Sequence, residues 1–394
     1  MVSVYLDHAA TSPLRAEARA AWLAASETVG NASSVHRAGQ DARRLLEDAR
    51  DAVAAVLDCQ SIEVVFTSGG TESVNLALKG LWWSRPPHTD AIVLPDGEHH
   101  ATLDTVGWLQ TAQTQASPGA AVRAVPLTPL GAIDAAAFAA ALPGAALATA
   151  LAGNNEVGTL NDVAALAASA RDAGVPLHVD AIGAAGVVPV SFRRWRGEGT
   201  GAHGLVALSV SGHKVGAPVG TGALVVSRHA RLTALVHGGG QQRALRSGTQ
   251  DVAGAAALAA ALTAAEAGRV AEAARLSALR RRLVAGVAAA VPQARLLGDP
   301  EHRLPGNVHL LFPGAVGETL LFLLDQRGIA VSTGSACQAG VAEPSHVVLA
   351  LGLDARAARS VLRITLGRTT TEADVDAVLA ALPEAYARAR AAGA

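Results

Sequence analysis

The sequence predicts an α/β protein: a larger part built on a mostly parallel, seven-stranded sheet with helices on its faces, and a smaller α+β part. Three observations predict it. Seven short apolar runs recur between residues 62 and 226, bounded by glycine or polar residues, as buried strands require. Helical stretches separate several of these runs, and strand–helix alternation brings successive strands into parallel register. After residue 252 a long helical stretch leads into three further apolar runs with helices between them. At 394 residues the chain exceeds what one core usually serves, so two domains are expected. The boundary is placed near residue 262: a large domain over 16–261, and a small one from 1–15 and 262–394 that carries a small-residue loop at about 328–345.

In chain order, residues 16–29 read as a helix and 31–36 as a polar loop. Residues 38–57 are strongly helical, with Leu45, Leu46, Ala49, Val53 and Val56 apolar and charges between them. Strands are expected at 62–66, 91–94, 121–125, 145–151, 175–179, 205–210 and 222–226, with a helix running from the turn at 67–73 through Lys79. Residues 252–291 read as a long helix. Strands follow at 307–312, 329–332 and 361–366, helices at 317–327 and 345–351, and a terminal helix from Glu372. In such sheets ligands bind outside the carboxyl ends of the strands.

Composition excludes several classes. Half the residues are hydrophobic, but much of that is alanine, which buries little area. A formal net charge of −1 makes no case for nucleic acid or an anionic membrane. The alanine-rich run at 253–265 carries too little Leu, Ile or Phe to span a bilayer. The first residues lack the basic start and apolar core of a signal peptide, so the cytosol is the expected compartment. Two cysteines, Cys59 and Cys337, build neither a metal site nor a disulfide framework.

Lysine usage points to chemistry. Of 32 basic residues only Lys79 and Lys214 are lysines. Arginine cannot lose its proton and form a Schiff base, so a chain that has nearly abandoned lysine keeps it where an amine matters or by accident. Lys79 lies in a helix-end pattern, where a cation favours the dipole. Lys214 ends Ser209-Val-Ser-Gly-His-Lys214, just beyond an apolar run.

Other polar clusters also follow expected strands. Thr67-Ser-Gly-Gly-Thr-Glu-Ser73 is a glycine turn into a helix: either a phosphate cradle of N–H groups and hydroxyls, or a capped start with Ser68 or Thr71 as cap. It matches neither a P-loop nor a dinucleotide fingerprint. Glu98-His99-His100 offers an imidazole to stack on a planar cofactor and move protons, or a capping histidine. Asn154-Asn155-Glu156-Val157-Gly158 offers amides to orient a carboxylate or a cofactor's ring oxygen, or turn chemistry. His178-Val179-Asp180 ends a strand on an acid that needs a cation such as a pyridinium nitrogen, or that caps the next helix. Gly334-Ser-Ala-Cys337-Gln-Ala-Gly340 is a loop suited to a nucleophilic or sulfur-carrying thiol. Cys59 lacks such surroundings and reads as incidental. Arg363, inside an apolar strand, needs a substrate carboxylate or an internal acid as partner.

Taken together, these stretches resemble the class V aminotransferase-like, fold-type I pyridoxal-phosphate enzymes, and among them the cysteine desulfurases of the NifS/IscS type. The resemblance runs end to end, from Tyr5-Leu-Asp-His-Ala-Ala-Thr-Ser-Pro13 and Asn31-Ala-Ser-Ser-Val-His36 through the clusters above to His237-Gly-Gly-Gly-Gln241, Arg246-Ser-Gly-Thr249 and Leu362-Arg-Ile-Thr-Leu-Gly-Arg368. It implies that Lys214 is the Schiff-base lysine, Asp180 pairs with the pyridine nitrogen, and His99 stacks on the ring and assists proton transfer. It implies that Gly70, Thr71, Ser211 and His213 hold the phosphate, with Thr249 reaching across from the second subunit of a homodimer. Asn155 and Arg363 would bind the carboxylate of L-cysteine. Cys337 would take its sulfur as a persulfide, leaving L-alanine and passing sulfur to acceptors for iron–sulfur cluster assembly or tRNA and cofactor thiolation. The Gly-Ser-Ala-Cys loop separates this group from aminotransferases of the same fold.

One position departs from the pattern. The family usually has glutamine three residues beyond the strand-terminal aspartate, where Gly183 stands here. Loss of that charge-assisted hydrogen bond would cost about 1.5–3 kcal/mol if nothing replaces it. The resemblance therefore leaves two alternatives: another enzyme of this fold, such as a selenocysteine lyase, or a weakly active cofactor-binding paralogue that relays sulfur.

Overall fold

A computed structural model describes residues 4–112, 119–199, 201–334 and 344–392. The chain opens with a two-residue strand, β1 (Val4–Tyr5), which sequence patterning does not reveal. The main sheet then draws on β2 (Val64–Thr67), β3 (Ala91–Pro95), β4 (Ala121–Val125), β5 (Leu147–Leu151), β6 (Pro176–Asp180), β7 (Gly204–Ser211) and β8 (Gly222–Val226). Their order is β2-β8-β7-β6-β5-β3-β4, and only β8 runs antiparallel to its neighbours. The expected seven strands are all present, with ends displaced by two residues at most. At 61–63 the chain makes a 3-10 turn, which holds Ile62 out of the expected first strand.

Two smaller sheets complete the fold. The strands β9 (Arg295–Leu296), β10 (Asn307–Leu311) and β12 (Val361–Thr365) form an antiparallel sheet in the order β12-β10-β9. The short β11 (Ile329–Ala330) pairs in parallel with β1, so the start of the chain is built into its C-terminal part.

Helix Val252–Ala290 links the packed regions. Its first half contributes Ala257, Leu258, Ala261 and Leu262 to the apolar cluster beneath the main sheet. Its second half contributes Leu276, Leu279, Leu283 and Val287 to a separate cluster with Phe312, Leu362 and Leu382. Among the described residues no helix is long and apolar enough to cross a membrane. Lys79 is not a helix-end residue: its helix continues to Trp83, and Nζ lies 4.3 Å over the Trp108 ring, a cation–π contact.

The parallel strands end together, so the loops after β3, β5, β6 and β7 gather at one edge of the sheet. The turn after β2 joins them there because two backbones touch. A Cβ on Gly222 of β8 would fall 2.6 Å from Gly69 Cα. Glycine at 222 thus lets the turn at 68–70 lie directly on β8. Gly222→Ala is expected to destabilise the fold by about 1–3 kcal/mol, since the obstacle is backbone. Gly107→Ala, in a helix with nothing within 4 Å of its Cβ, is expected to gain up to about 1 kcal/mol. Urea midpoints of the two variants check both signs.

Candidate functional site

The clusters after the strands converge on one cavity of about 410 Å³. Gly70, Thr71, His99, Asn155, Asp180, Ser211, His213, Lys214 and Arg363 line it, as do Gly183 and the N-terminal residues His8, Ala9 and Ala10. Thr249 does not line the cavity of its own chain and is exposed. Cys337 lies outside the described residues. Cys59 is half-buried and far from an activated thiol: burial, then the neighbouring Glu63 and Asp58, push its pKa up to about 12.

Asp180 is the last residue of β6 and only 2 % exposed. Oδ1 accepts from Ile182 N at 2.9 Å, which makes a local turn; Asp180 caps no helix, since the next one starts at Phe192 with Ser191 as its cap. Burial raises the Asp180 pKa from 3.8 to about 6, against the opposing effects of that hydrogen bond and of the Lys214 charge. Lys214 stands in the short turn of helix that follows β7, and its Nζ donates to the carbonyls of Ala9 and of Ala10, the latter at 2.9 Å. These carbonyls belong to a segment that runs from β1 across the sheet edge. His213 beside it bonds Thr11 Oγ1 at 3.2 Å, and burial, then Lys214, lowers its pKa to about 4.

His99 follows the capping reading of its motif and also lines the cavity. It caps helix His100–Thr111, with Nδ1 accepting from Ala101 N at 3.0 Å. That bond leaves the proton of the neutral ring on Nε2. Burial, and next the Lys214 charge, lower its pKa to about 4, so the ring is neutral at pH 7. The Asn pair divides the labour. Asn154 Oδ1 accepts from Glu156 N and Val157 N at 2.9 and 3.0 Å and builds the turn, while Asn155 faces the cavity.

The glycine turn is not capped by Ser68 or Thr71. The cap position of helix Gly70–Trp83 is Gly69, at φ 150°, and no side chain satisfies its first N–H groups. The Glu72 side chain instead reaches back, Oε2 accepting from Ser68 N at 2.7 Å. Uncapped N–H groups beside the Thr71 and Ser211 hydroxyls make an anion cradle. The loop at 241–249 is tied to this helix start. Gln242 bonds Phe66 N and Phe66 O at 2.7 and 2.8 Å, and Arg246 pairs with Glu72 at 2.9 Å. These contacts hold Gln242, Arg243 and Ala244 at positive φ, which L-residues rarely adopt.

Arg363 is 3 % exposed and has an internal acid, which sequence reasoning left open. Its Nη2 pairs with Asp7 Oδ1 at 3.1 Å, Nη1 donates to Asn155 O at 3.2 Å, and Nε has no hydrogen-bond partner among the described residues. Asp7 was visible only as part of the N-terminal motif, since 356 positions separate the pair. Gly183 leaves room: a Cβ there would meet nothing nearer than Gly153 O at 3.5 Å.

The buried acid has a signature in stability. A raised folded pKa means that stability from Asp180 is complete below pH 3.8 and lost as pH rises through about 6. Asp180→Asn is therefore expected to stabilise the cofactor-free protein by up to about 3 kcal/mol at pH 8. The gain should fade between pH 6 and 4, as chemical denaturation across pH would read.

The class V aminotransferase family model matches residues 4–378. An IscS-like cysteine desulfurase of Mycobacterium tuberculosis is 48 % identical over 98 % of this chain and 97 % of its own length. A cysteine desulfurase of Gluconacetobacter diazotrophicus is 38 % identical over 99 % and 95 %. Among solved structures, a NifS-like protein superposes with a TM-score of 0.89 at 31 % identity, covering 98 % of this chain and 100 % of that one. A structure titled SspA in complex with cysteine superposes at 0.77 with 27 % identity, over 92 % and 99 %. The chain belongs to the class V aminotransferase family and, within it, to the IscS- and NifS-like cysteine desulfurases.

Proposed function

We propose that this protein is a pyridoxal 5′-phosphate-dependent L-cysteine desulfurase that converts L-cysteine to L-alanine and carries the sulfur as a persulfide on Cys337. The observation that carries the reading is the meeting of a buried carboxylate, a lysine and an uncapped helix start in one cavity. The residues fit the cofactor. Asp180 supplies the acid that a pyridinium nitrogen requires, and Lys214 the amine for covalent attachment. Gly70, Thr71, Ser211 and His213 line the anion cradle for the phosphate, and His99 offers its ring. When bound, pyridoxal phosphate supplies an electron sink for the carbon that bears the substrate's amino group.

The chain's own groups then have distinct tasks. The carbonyls of Ala9 and Ala10 orient Lys214 Nζ, which takes the proton from the substrate's α-carbon. His99, neutral at pH 7, holds a movable proton at Nε2. Asn155 and Arg363 bind the substrate carboxylate; the Asp7 pairing fixes the guanidinium in place. The Cys337 thiol bonds to the substrate sulfur, the substrate's C–S bond breaks, and hydrogen replaces sulfur on its β-carbon.

The same reading extends to organisation. Residues 16–261 form the domain of the cofactor residues, and 1–15 with 262–394 form the second; the two apolar clusters and the β1–β11 pairing support that division. Thr249, exposed on a loop pinned to the helix start, completes the phosphate site of a second copy in a homodimer. Sulfur leaves for acceptor proteins of iron–sulfur cluster assembly or tRNA thiolation in the cytoplasm.

Purified protein given L-cysteine is expected to form alanine and release sulfide on reduction. Cys337→Ala should lose about a hundredfold in both, and Cys59→Ala should match the parent. Alanine formation unchanged in Cys337→Ala would instead indicate a lyase that does not use this thiol. Gly183→Gln is expected to fold and to bind pyridoxal phosphate about tenfold or more tighter, the equivalent of about 1.5–3 kcal/mol from one added hydrogen bond. Equilibrium dialysis of the cofactor checks this, and unchanged affinity would show that the space at Gly183 is filled by other means.

A further inference from the structure

Two adjacent side chains, Ser345 and His346, each end on an acid-bearing turn of the cavity. Ser345 Oγ accepts from Val348 N at 3.1 Å and caps the short helix His346–Ala350. Its one proton goes to Glu156 Oε2, at 2.5 Å. His346 Nε2 lies 2.9 Å from the carbonyl oxygen of Glu98; since a carbonyl only accepts, the ring carries its proton there. Its ring also packs edge-on against His100, centroids 4.9 Å apart.

Both acids are within one residue of the site. Glu156 follows Asn155, and Glu98 precedes His99. Glu98 is fixed at its other end too, with Oε1 accepting from Leu151 N at 2.8 Å at the end of β5. Glu156 meets the chain on both sides of residues 335–343. Besides its bond to Ser345, its Oε2 lies 2.5 Å from where a Cβ on Gly334 would sit. Capping a five-residue helix requires only the Ser345–Val348 bond. It requires neither Glu156 nor the His346–Glu98 contact. A fully buried carboxyl at Glu156 is costly to keep, and an apolar residue would pack there at least as stably; the His346 contact is to the backbone carbonyl of Glu98. The Glu156 carboxylate ties the chain beyond residue 343 to the turn of Asn155, which an apolar residue could not do.

We infer that Ser345 and His346 are positioning residues that register the thiol-bearing part of the chain against the turns holding Asn155 and His99. The inference rests on Cys337 as the sulfur acceptor. Each side chain fixes one point beyond the thiol-bearing residues: Ser345 ties the chain to the turn of Asn155, and His346 ties it to the turn of His99. A misplacement of about 1 Å at reacting atoms costs on the order of a hundredfold in rate. Loss of either bond therefore acts on the sulfur-transfer step more than on binding.

The test uses the holoenzyme with His346→Leu, Ser345→Ala and His346→Gln, whose amide can still donate to Glu98 O. The readouts are kcat and KM for L-cysteine, the visible spectrum of the bound cofactor, and the rate of iodoacetamide alkylation at Cys337 mapped by mass. Cys59, with its thiol pKa near 12, stays silent in that assay. His346→Leu and Ser345→Ala are expected to lower kcat about 10- to 100-fold, with KM and spectrum within twofold of the parent. Alkylation at Cys337 should change at least threefold, and His346→Gln should restore both to within threefold. Parental kcat and alkylation in both variants would overturn the inference. So would a loss of cofactor binding that His346→Gln does not restore, which is the mark of a merely structural role. If the parent itself forms no alanine, the desulfurase reading has failed, while the alkylation rates still decide the anchorage.

Discussion

A carboxylate at the buried end of a parallel strand is the constraint around which this molecule is arranged. Asp180 has one backbone donor and little water, and burial pushes its pKa up to about 6. In the protein alone it is a liability, relieved in part by the charge of Lys214. A cationic ring nitrogen would turn the liability into a binding determinant, because the same burial that penalises a lone charge strengthens a paired one. The fold supplies the geometry. Only β8 is antiparallel, so β3, β5, β6 and β7 present their ends, and the turns after them, at one edge.

Around that acid, single residues satisfy local structure and the site together. His99 caps its helix and, by accepting at Nδ1, sets the tautomer it shows to the cavity. Asp180 makes its own turn. Asn154 spends its side chain on the loop so that Asn155 is free to face inward. The uncapped start at Gly69 is the reverse case, a local requirement left unmet where an anion would meet it. Arg363 is paired at 3 % exposure because Asp7 is brought to it by the short β1 strand and its pairing with β11.

Much of this was legible in the sequence. The strands were, because valine- and leucine-rich runs punctuated by glycine have few other uses, and the site clusters were, because each follows a strand. Lys214, which lines the cavity, stood out by composition alone. Long-range pairings were not legible. Nothing in a linear reading joins Asp7 to Arg363, Ser345 to Glu156 or His346 to Glu98, since each is a contact between segments far apart in the chain. Local contests were decided by contacts the sequence conceals. Gly69 took the cap position from Ser68 and Thr71 because its backbone lies against Gly222. Lys79 found an aromatic face instead of a helix end because Trp108 comes from the next helix.

The central claim is that Lys214, opposite buried Asp180, is the amine that holds the cofactor. With only two lysines in the chain, one measurement tests it directly: borohydride reduction of the protein loaded with pyridoxal phosphate, followed by peptide mass mapping. The account predicts a phosphopyridoxyl group on Lys214, Lys79 unmodified, and loss of the label in Asp180→Ala at cofactor concentrations that saturate the parent. Label on Lys79, or label on Lys214 at undiminished affinity in Asp180→Ala, would contradict it.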